Sequence, residues 1–268
     1  MQKIEIRKVF FEKNPKLARL LPGFLFSWLE RVIHQKEINV FLKDHGLKQG
    51  LPFLEEVLNF FNVKVEVHGL ENIPTDGRYL FVSNHPLGGF DGIILMKTLA
   101  TQFGNVKVIV NDILMNIPNL QPYFLPINKH GHQNKSSALE IDSAFNSNIP
   151  ILSFPAGLCS RKIKGQITDL EWKKNFISKS VEFKRDVVPI YFDGRNSSFF
   201  YNLSNFRMAV GINANIEMLY LVDELFKHRN GLFKVYFGKP IDFKTFDSTK
   251  NYTQWANEIR KLSYILKP

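Results

Sequence analysis

Three short apolar runs each stop at a polar, glycine-containing turn, and that pattern limits the chain to few architectures. Residues 79–82 (YLFV) lead into Ser83, Asn84, His85, Pro86, Leu87, Gly88, Gly89, Phe90 and Asp91. Residues 149–154 (IPILSF) lead into Pro155, Ala156, Gly157, Leu158, Cys159, Ser160 and Arg161. Residues 186–192 (DVVPIYF) lead into Asp193, Gly194, Arg195 and Asn196. All three have the length and composition of buried strands. Helical patterns lie between them, at residues 93–100, 136–146 and about 169–183. Strands alternating with helices predict an α/β fold with a mixed, largely parallel sheet flanked by helices. Ligands bind at the carboxyl ends of strands in such sheets, so the three tips meet at one site if the strands are parallel neighbours.

The flanking sequence adds an N-terminal helical extension. Leu20, Leu21, Phe24, Leu25, Trp28, Leu29 and Val32 recur at mixed three- and four-residue steps, which predicts one apolar helical face. Further short helices follow, broken near Gly46 and Gly50. From Val63 the period changes to two: Val63, Val65 and Val67 alternate with polar residues, the mark of an edge strand. Residues 1–62 are therefore expected to form a helical segment and residues 63–268 the α/β domain. Two readings of the first segment stay open. It covers the α/β domain, or its Phe/Trp/Leu face, flanked by Lys13, Lys16, Arg19 and Arg31, rests on a membrane surface.

Composition excludes several classes. A formal charge of +10 favours an anionic partner: nucleic acid, an anionic membrane or an acidic protein. One cysteine, Cys159, forbids an internal disulfide and suits a reducing compartment. No Cys/His cluster has zinc spacing; His130 and His132 read as a solvated loop, and no metal is expected. The first residues lack the apolar core of a secretory signal, and no run of 18 apolar residues is present.

His85 stands where a strand ends and Asp91 about where the next helix begins. A histidine base needs a carboxylate to fix its tautomer and orientation, and the Gly88–Gly89 pair lets backbone approach a substrate. No G-x-S-x-G elbow is present, so a serine hydrolase is disfavoured. Without a placed nucleophile, the base suits direct attack: it takes a proton from an acceptor hydroxyl, which attacks an activated acyl carbonyl. The N–H groups around Gly88 and Gly89 are candidates for the oxyanion. Arg161 reads as a clamp for a phosphate or carboxylate. Lys162 and Lys164 read as a solvated turn, and Cys159 as a packed small residue. Asp193, Gly194, Arg195 and Asn196 read equally as substrate contacts or as a structural turn.

Together these stretches resemble the PlsC-type glycerolipid and lysophospholipid acyltransferases. Within them they look most like the bacterial branch that makes ornithine lipids and related aminolipids, the hemolysin-like proteins. Asn84, His85, Pro86, Leu87, Gly88, Gly89, Phe90 and Asp91 resemble the first family motif. The resemblance implies that His85 is the catalytic base and Asp91 its partner. Phe154, Pro155, Ala156, Gly157, Ser160 and Arg161 resemble the third motif, which binds the acceptor. Val188, Pro189 and Ile190 resemble the fourth, near the acyl chain, and Lys129 stands where the second usually ends in Arg. Gly238, Lys239, Pro240 and Ile241 are also familial. The likeness covers about residues 63–241.

Three departures bear on the acceptor. Five residues, not four, separate His85 from Asp91, as in the aminolipid branch; Ala156 replaces a Glu; Lys129 replaces an Arg. The last two point away from lysophosphatidate and toward a lyso-aminolipid of ornithine- or glycine-lipid type. The resemblance further implies a thioester donor (acyl-carrier protein or acyl-CoA), no other cofactor, and a peripheral position at the cytoplasmic face of the inner membrane. A basic enzyme suits both an acidic carrier protein and an anionic leaflet. Two other readings remain: a lysophosphatidate acyltransferase, and a non-catalytic basic protein binding membrane or nucleic acid. No nucleic-acid motif supports the last.

Overall fold

The computed structural model describes residues 3–13, 15–20, 22–127 and 135–268. The chain opens with α1 (Ile6–Lys13), α2 (Pro15–Leu20), α3 (Gly23–Val32), α4 (Gln35–His45) and α5 (Leu51–Phe60). Then follow β1 (Lys64–His68), β2 (Tyr79–Ser83), α6 (Phe90–Phe103), β3 (Lys107–Asn111), β4 (Phe124–Ile127) and α7 (Lys135–Asn146). Next come β5 (Ile151–Ser153), β6 (Arg161–Ile163), β7 (Gln166–Thr168), α8 (Asn175–Phe183) and β8 (Asp186–Asp193). Last are α9 (Ser198–Ala209), α10 (Leu221–Lys227), β9 (Leu232–Phe237) and α11 (Tyr252–Ile265).

The main sheet has seven strands in the order β1-β9-β8-β2-β5-β3-β4. All pairs are parallel except β8 with β9. The three apolar runs are thus adjacent: β2 is flanked by β8 and β5, running in the same direction. β1 is the outermost strand, as its alternation predicts, and Lys234 of β9 pairs with its Glu66 at 3.2 Å.

Burial follows the two-residue period of β2. Phe81 faces one layer, with Leu54 of α5 and Ile94 and Leu95 of α6. Leu80 and Val82 face the other, with Trp172, Ile177 of α8 and Ile259 of α11. Phe41 of α4 and Phe53 and Leu54 of α5 belong to the same core as Phe81 and Val188, so α4 and α5 cover one face of the sheet.

A proline inside a central strand breaks a hydrogen-bond ladder unless its missing N–H faces a gap. Val187 donates toward Ile241 and Phe192 toward Asn84 on the opposite side. By alternation, the N of Pro189 lies on the Val187 side, where β9 has already ended. There Gly238 N–H donates to Pro189 O at 2.8 Å, and a Cβ on Gly238 would lie 2.8 Å from Pro189 Cγ. The glycine after β9 is therefore set by the proline in β8.

Three elements differ from expectation. α8 begins at Asn175 instead of near Asp169, because the Asp169 carboxylate is bound elsewhere. The β6–β7 hairpin has three-residue strands, too short for a periodic signal. α9 arises where no helix was read; Ser197 caps it by accepting from Phe200 N–H.

Candidate active site

His85 is fixed by its backbone before its ring meets anything. It follows β2 directly. Asn84, the residue before it, exchanges two hydrogen bonds with β8: its amide donates to Phe192 O at 2.9 Å and accepts from Phe192 N–H at 2.7 Å. His85 N–H donates to Asp169 Oδ1 at 3.2 Å, and His85 O accepts from Ser160 N–H at 2.8 Å. The tips of β2, β5 and β8 are thus stitched together around one histidine.

The ring lies 3.0 Å from Asp91, between Nδ1 and Oδ2, and packs on Phe154 at 4.2 Å between centroids. Asp91 is fully buried in the first turn of α6. It accepts from Leu87 N–H (3.0 Å), Gly89 N–H (3.1 Å) and Gly92 N–H (2.9 Å). Burial alone works to raise its pKa; the adjacent imidazole and these N–H donors overcome that and hold it below the usual carboxylate range. The carboxylate is therefore ionised, and the shared proton belongs to His85 Nδ1. That tautomer leaves the basic lone pair on Nε2, which is what a general base requires.

Behind the histidine lies a carboxylate that the sequence did not reveal. Asp169 is buried and accepts from Ser160 Oγ (2.5 Å), Trp172 Nε1 (2.9 Å) and His85 N–H. Burial raises its pKa. Of its partners only Trp172 is local, three residues on; Ser160 and His85 are 9 and 84 residues away, so no spacing could have announced the whole group. Ser160 is accordingly buried and engaged by the scaffold.

Arg161 is not an open clamp in this structure. Its guanidinium is buried and donates to Cys159 O (2.9 Å) and to Glu217 Oε1 (2.9 Å). Glu217 also accepts from Arg207 Nε at 2.6 Å and lies below the usual carboxylate range: burial works against this, and the two guanidiniums outweigh it. Cys159 is packed as expected, and burial pushes its thiol up to about 11, which removes it as a nucleophile.

The remaining candidates divide. Gly88 has φ +77°, and a Cβ there would lie 3.0 Å from Cys159 Cβ and Leu221 Cδ2, so the turn admits only glycine. The Gly89 N–H is engaged by Asp91 and is not an open oxyanion donor. Pro155 and Ala156 are buried; Gly157 closes a turn onto Phe154 O with φ +68°. Asp193, the last residue of β8, and Arg195, just beyond it, are exposed. Asn196 is buried, its N–H donates to Tyr201 Oη at 3.0 Å, and neither polar atom of its side chain has a partner among the described residues. Lys129, His130 and His132 lie outside the described residues. Among the described residues, no helix is long and apolar enough to cross a membrane.

A family model described as "Acyltransferase" matches residues 8–268. The chain is 50% identical over 264 residues to the lyso-glycine lipid O-acyltransferase of Bacteroides thetaiotaomicron, spanning 98% of this chain and 97% of the relative. It is 49% identical to the lyso-glycine lipid O-acyltransferase of Phocaeicola vulgatus, spanning 98% and 95%. The crystal structure of the 1-acyl-sn-glycerophosphate acyltransferase PlsC from Thermotoga maritima superposes with a TM-score of 0.50 at 19% identity, over 98% of this chain and 97% of that one. That last likeness concerns the fold.

Proposed function

The chain belongs to the acyltransferase family, and from that premise we propose that it moves a fatty acyl group from a thioester to the hydroxyl of a lyso-aminolipid of the glycine-lipid type. The observation that carries the chemistry is the His85–Asp91 couple at the tip of the central strand. His85 Nε2 takes the proton of the acceptor hydroxyl as its oxygen attacks the thioester carbonyl. Asp91 stabilises the imidazolium that forms. The tetrahedral oxyanion collapses, the C–S bond breaks, and the departing thiolate takes the proton from Nε2. The ester and the free thiol balance the reaction with no further cofactor.

The identity to the lyso-glycine lipid enzymes supports the acceptor class. So does Arg161, whose closure onto Glu217 leaves no exposed guanidinium there for a doubly charged phosphate. The buried, unpartnered Asn196 amide is a polar group suited to an acceptor head group. The donor is an acyl-carrier protein or acyl-CoA, and the basic surface suits either. The enzyme works as a peripheral protein at the cytoplasmic membrane face. Competition between lyso-glycine lipid and lysophosphatidate, with labelled thioester, tests the reading; preference for lysophosphatidate would refute it.

A further inference from the structure

The last turn of α9 and the segment that follows it are apolar, exposed and without exposed charge. Phe206, Met208, Val210 and Ile212 are between 41% and 63% exposed, and Leu219 is 45% exposed. The ionisable side chains within residues 206–219, Arg207 and Glu217, are buried and paired with each other. A chain of fixed contacts holds this segment over the catalytic turn. The 3-10 turn Ile216–Tyr220 has an inner face on the site: Glu217 binds Arg161, and Met218 Sδ lies 3.8 Å from Cys159 Sγ. The next residue, Leu221, closes on Gly88. The outer face of the same turn is apolar. Tyr220 packs edge-on against Phe199 at 4.9 Å and against Trp28 of α3 at 5.9 Å. One turn before Trp28, Phe24 is 75% exposed.

We propose that residues 206–219, joined through Tyr220 to the exposed face of α3, seat on an anionic lipid bilayer and place the catalytic turn at its surface. The proposal rests on the lipid-acceptor reading above. Charge selects the occupant. The protein carries a formal +10; Arg31 is exposed three residues after Trp28, Arg195 is exposed three residues before α9, and Lys227 Nζ lies 5.7 Å from the ring of Phe199, which packs on Tyr220. Cations at the rim with an uncharged apolar centre match headgroups at the rim and acyl chains beneath. A charge inside the centre would oppose entry, and the buried Arg207–Glu217 pair removes the only two that this stretch contains.

The test uses the full-length protein, sedimented with vesicles of phosphatidylglycerol and phosphatidylethanolamine. The variant is Phe206→Glu with Val210→Glu and Ile212→Glu, all exposed positions away from the reacting groups. Each substitution puts a carboxylate where an apolar side chain would enter the bilayer, so the three together predict a loss of vesicle binding of roughly tenfold or more. Transfer to an acceptor held in vesicles falls with it. Transfer to a short-chain acceptor dissolved below its micelle concentration stays within about twofold, as expected for surface substitutions. Unchanged vesicle binding overturns the proposal. So does a wild-type dimer that becomes a monomer in the variant with vesicle binding intact, which would make a second copy the occupant. Ile212→Glu alone is read the same way should the triple variant not fold. Wild-type protein that binds vesicles but transfers to neither acceptor would sink the proposed function and leave the docking surface standing.

Discussion

Asp91 reaches His85 with one oxygen while its other oxygen is held by the N–H groups of Gly89 and Gly92. The carboxylate is therefore fixed on its own turn, and the ring is oriented against a rigid group. Asp91→Asn keeps the shape and loses the charge that places the proton on Nδ1. The expected result is a loss of about 10³–10⁴-fold in kcat with little change in KM. Steady-state kinetics with saturating thioester checks it; a loss below about tenfold would remove Asp91 from the mechanism.

The same carboxylate links stability to pH. Its pKa in the folded protein is below the ordinary value, so its contribution is complete above the unfolded value and disappears as pH falls through the folded one. Wild type should be more stable than Asp91→Asn at neutral pH, and the gap should close only below about pH 4. Thermal melts of both proteins from neutral to acid pH read this. A gap that stays constant into acid would contradict it.

Asp169 is predicted to act on both stability and rate by holding the backbone of His85. Removing its oxygens leaves Trp172 Nε1–H, Ser160 Oγ–H and His85 N–H without acceptors in a buried place. Asp169→Ala should lose about 3 kcal/mol or more, and Ser160→Ala about 1 kcal/mol. Denaturant melts measure both. Equal, small losses would show that Asp169 is not the hub of this network.

Arg185 anchors the other end of the strands. It is fully buried and donates to five backbone carbonyls: Tyr79 at the start of β2, Ala144, Phe145 and Ser147 at the end of α7, and Ile149. Burial and the neighbouring Arg78 pull its pKa down to about 10, which still leaves it charged near neutrality. Arg185→Met should lower stability by about 3–5 kcal/mol. Because it sits at the strand starts, remote from His85, the folded fraction should keep wild-type kcat. Loss of kcat in folded protein would contradict that separation.

The parts of the fold that were legible are those with a local signal. The runs at β2, β5 and β8 are apolar and end in polar turns, and the structure brings them together as parallel neighbours. His85 and Asp91 share one strand–turn–helix unit, so six residues of sequence carried their relation. Arg161 was visible as a basic residue at a strand tip. Its closure was not, because Glu217 lies 56 residues away on a 3-10 turn with no periodicity of its own. Asp169 was read as a helix start because an acidic residue before an apolar run is also how helices begin. The N–H of Gly89 reads as open in any glycine-rich turn, and only the fold shows Asp91 engaging it.

The measurement that tests the account most directly is transfer from a labelled acyl thioester to lyso-glycine lipid by wild type beside His85→Ala, with melting curves of both. The account predicts ester formation by wild type, loss of at least about 10³-fold in the variant, and closely similar melts. A folded His85→Ala protein that retains wild-type transfer would contradict it.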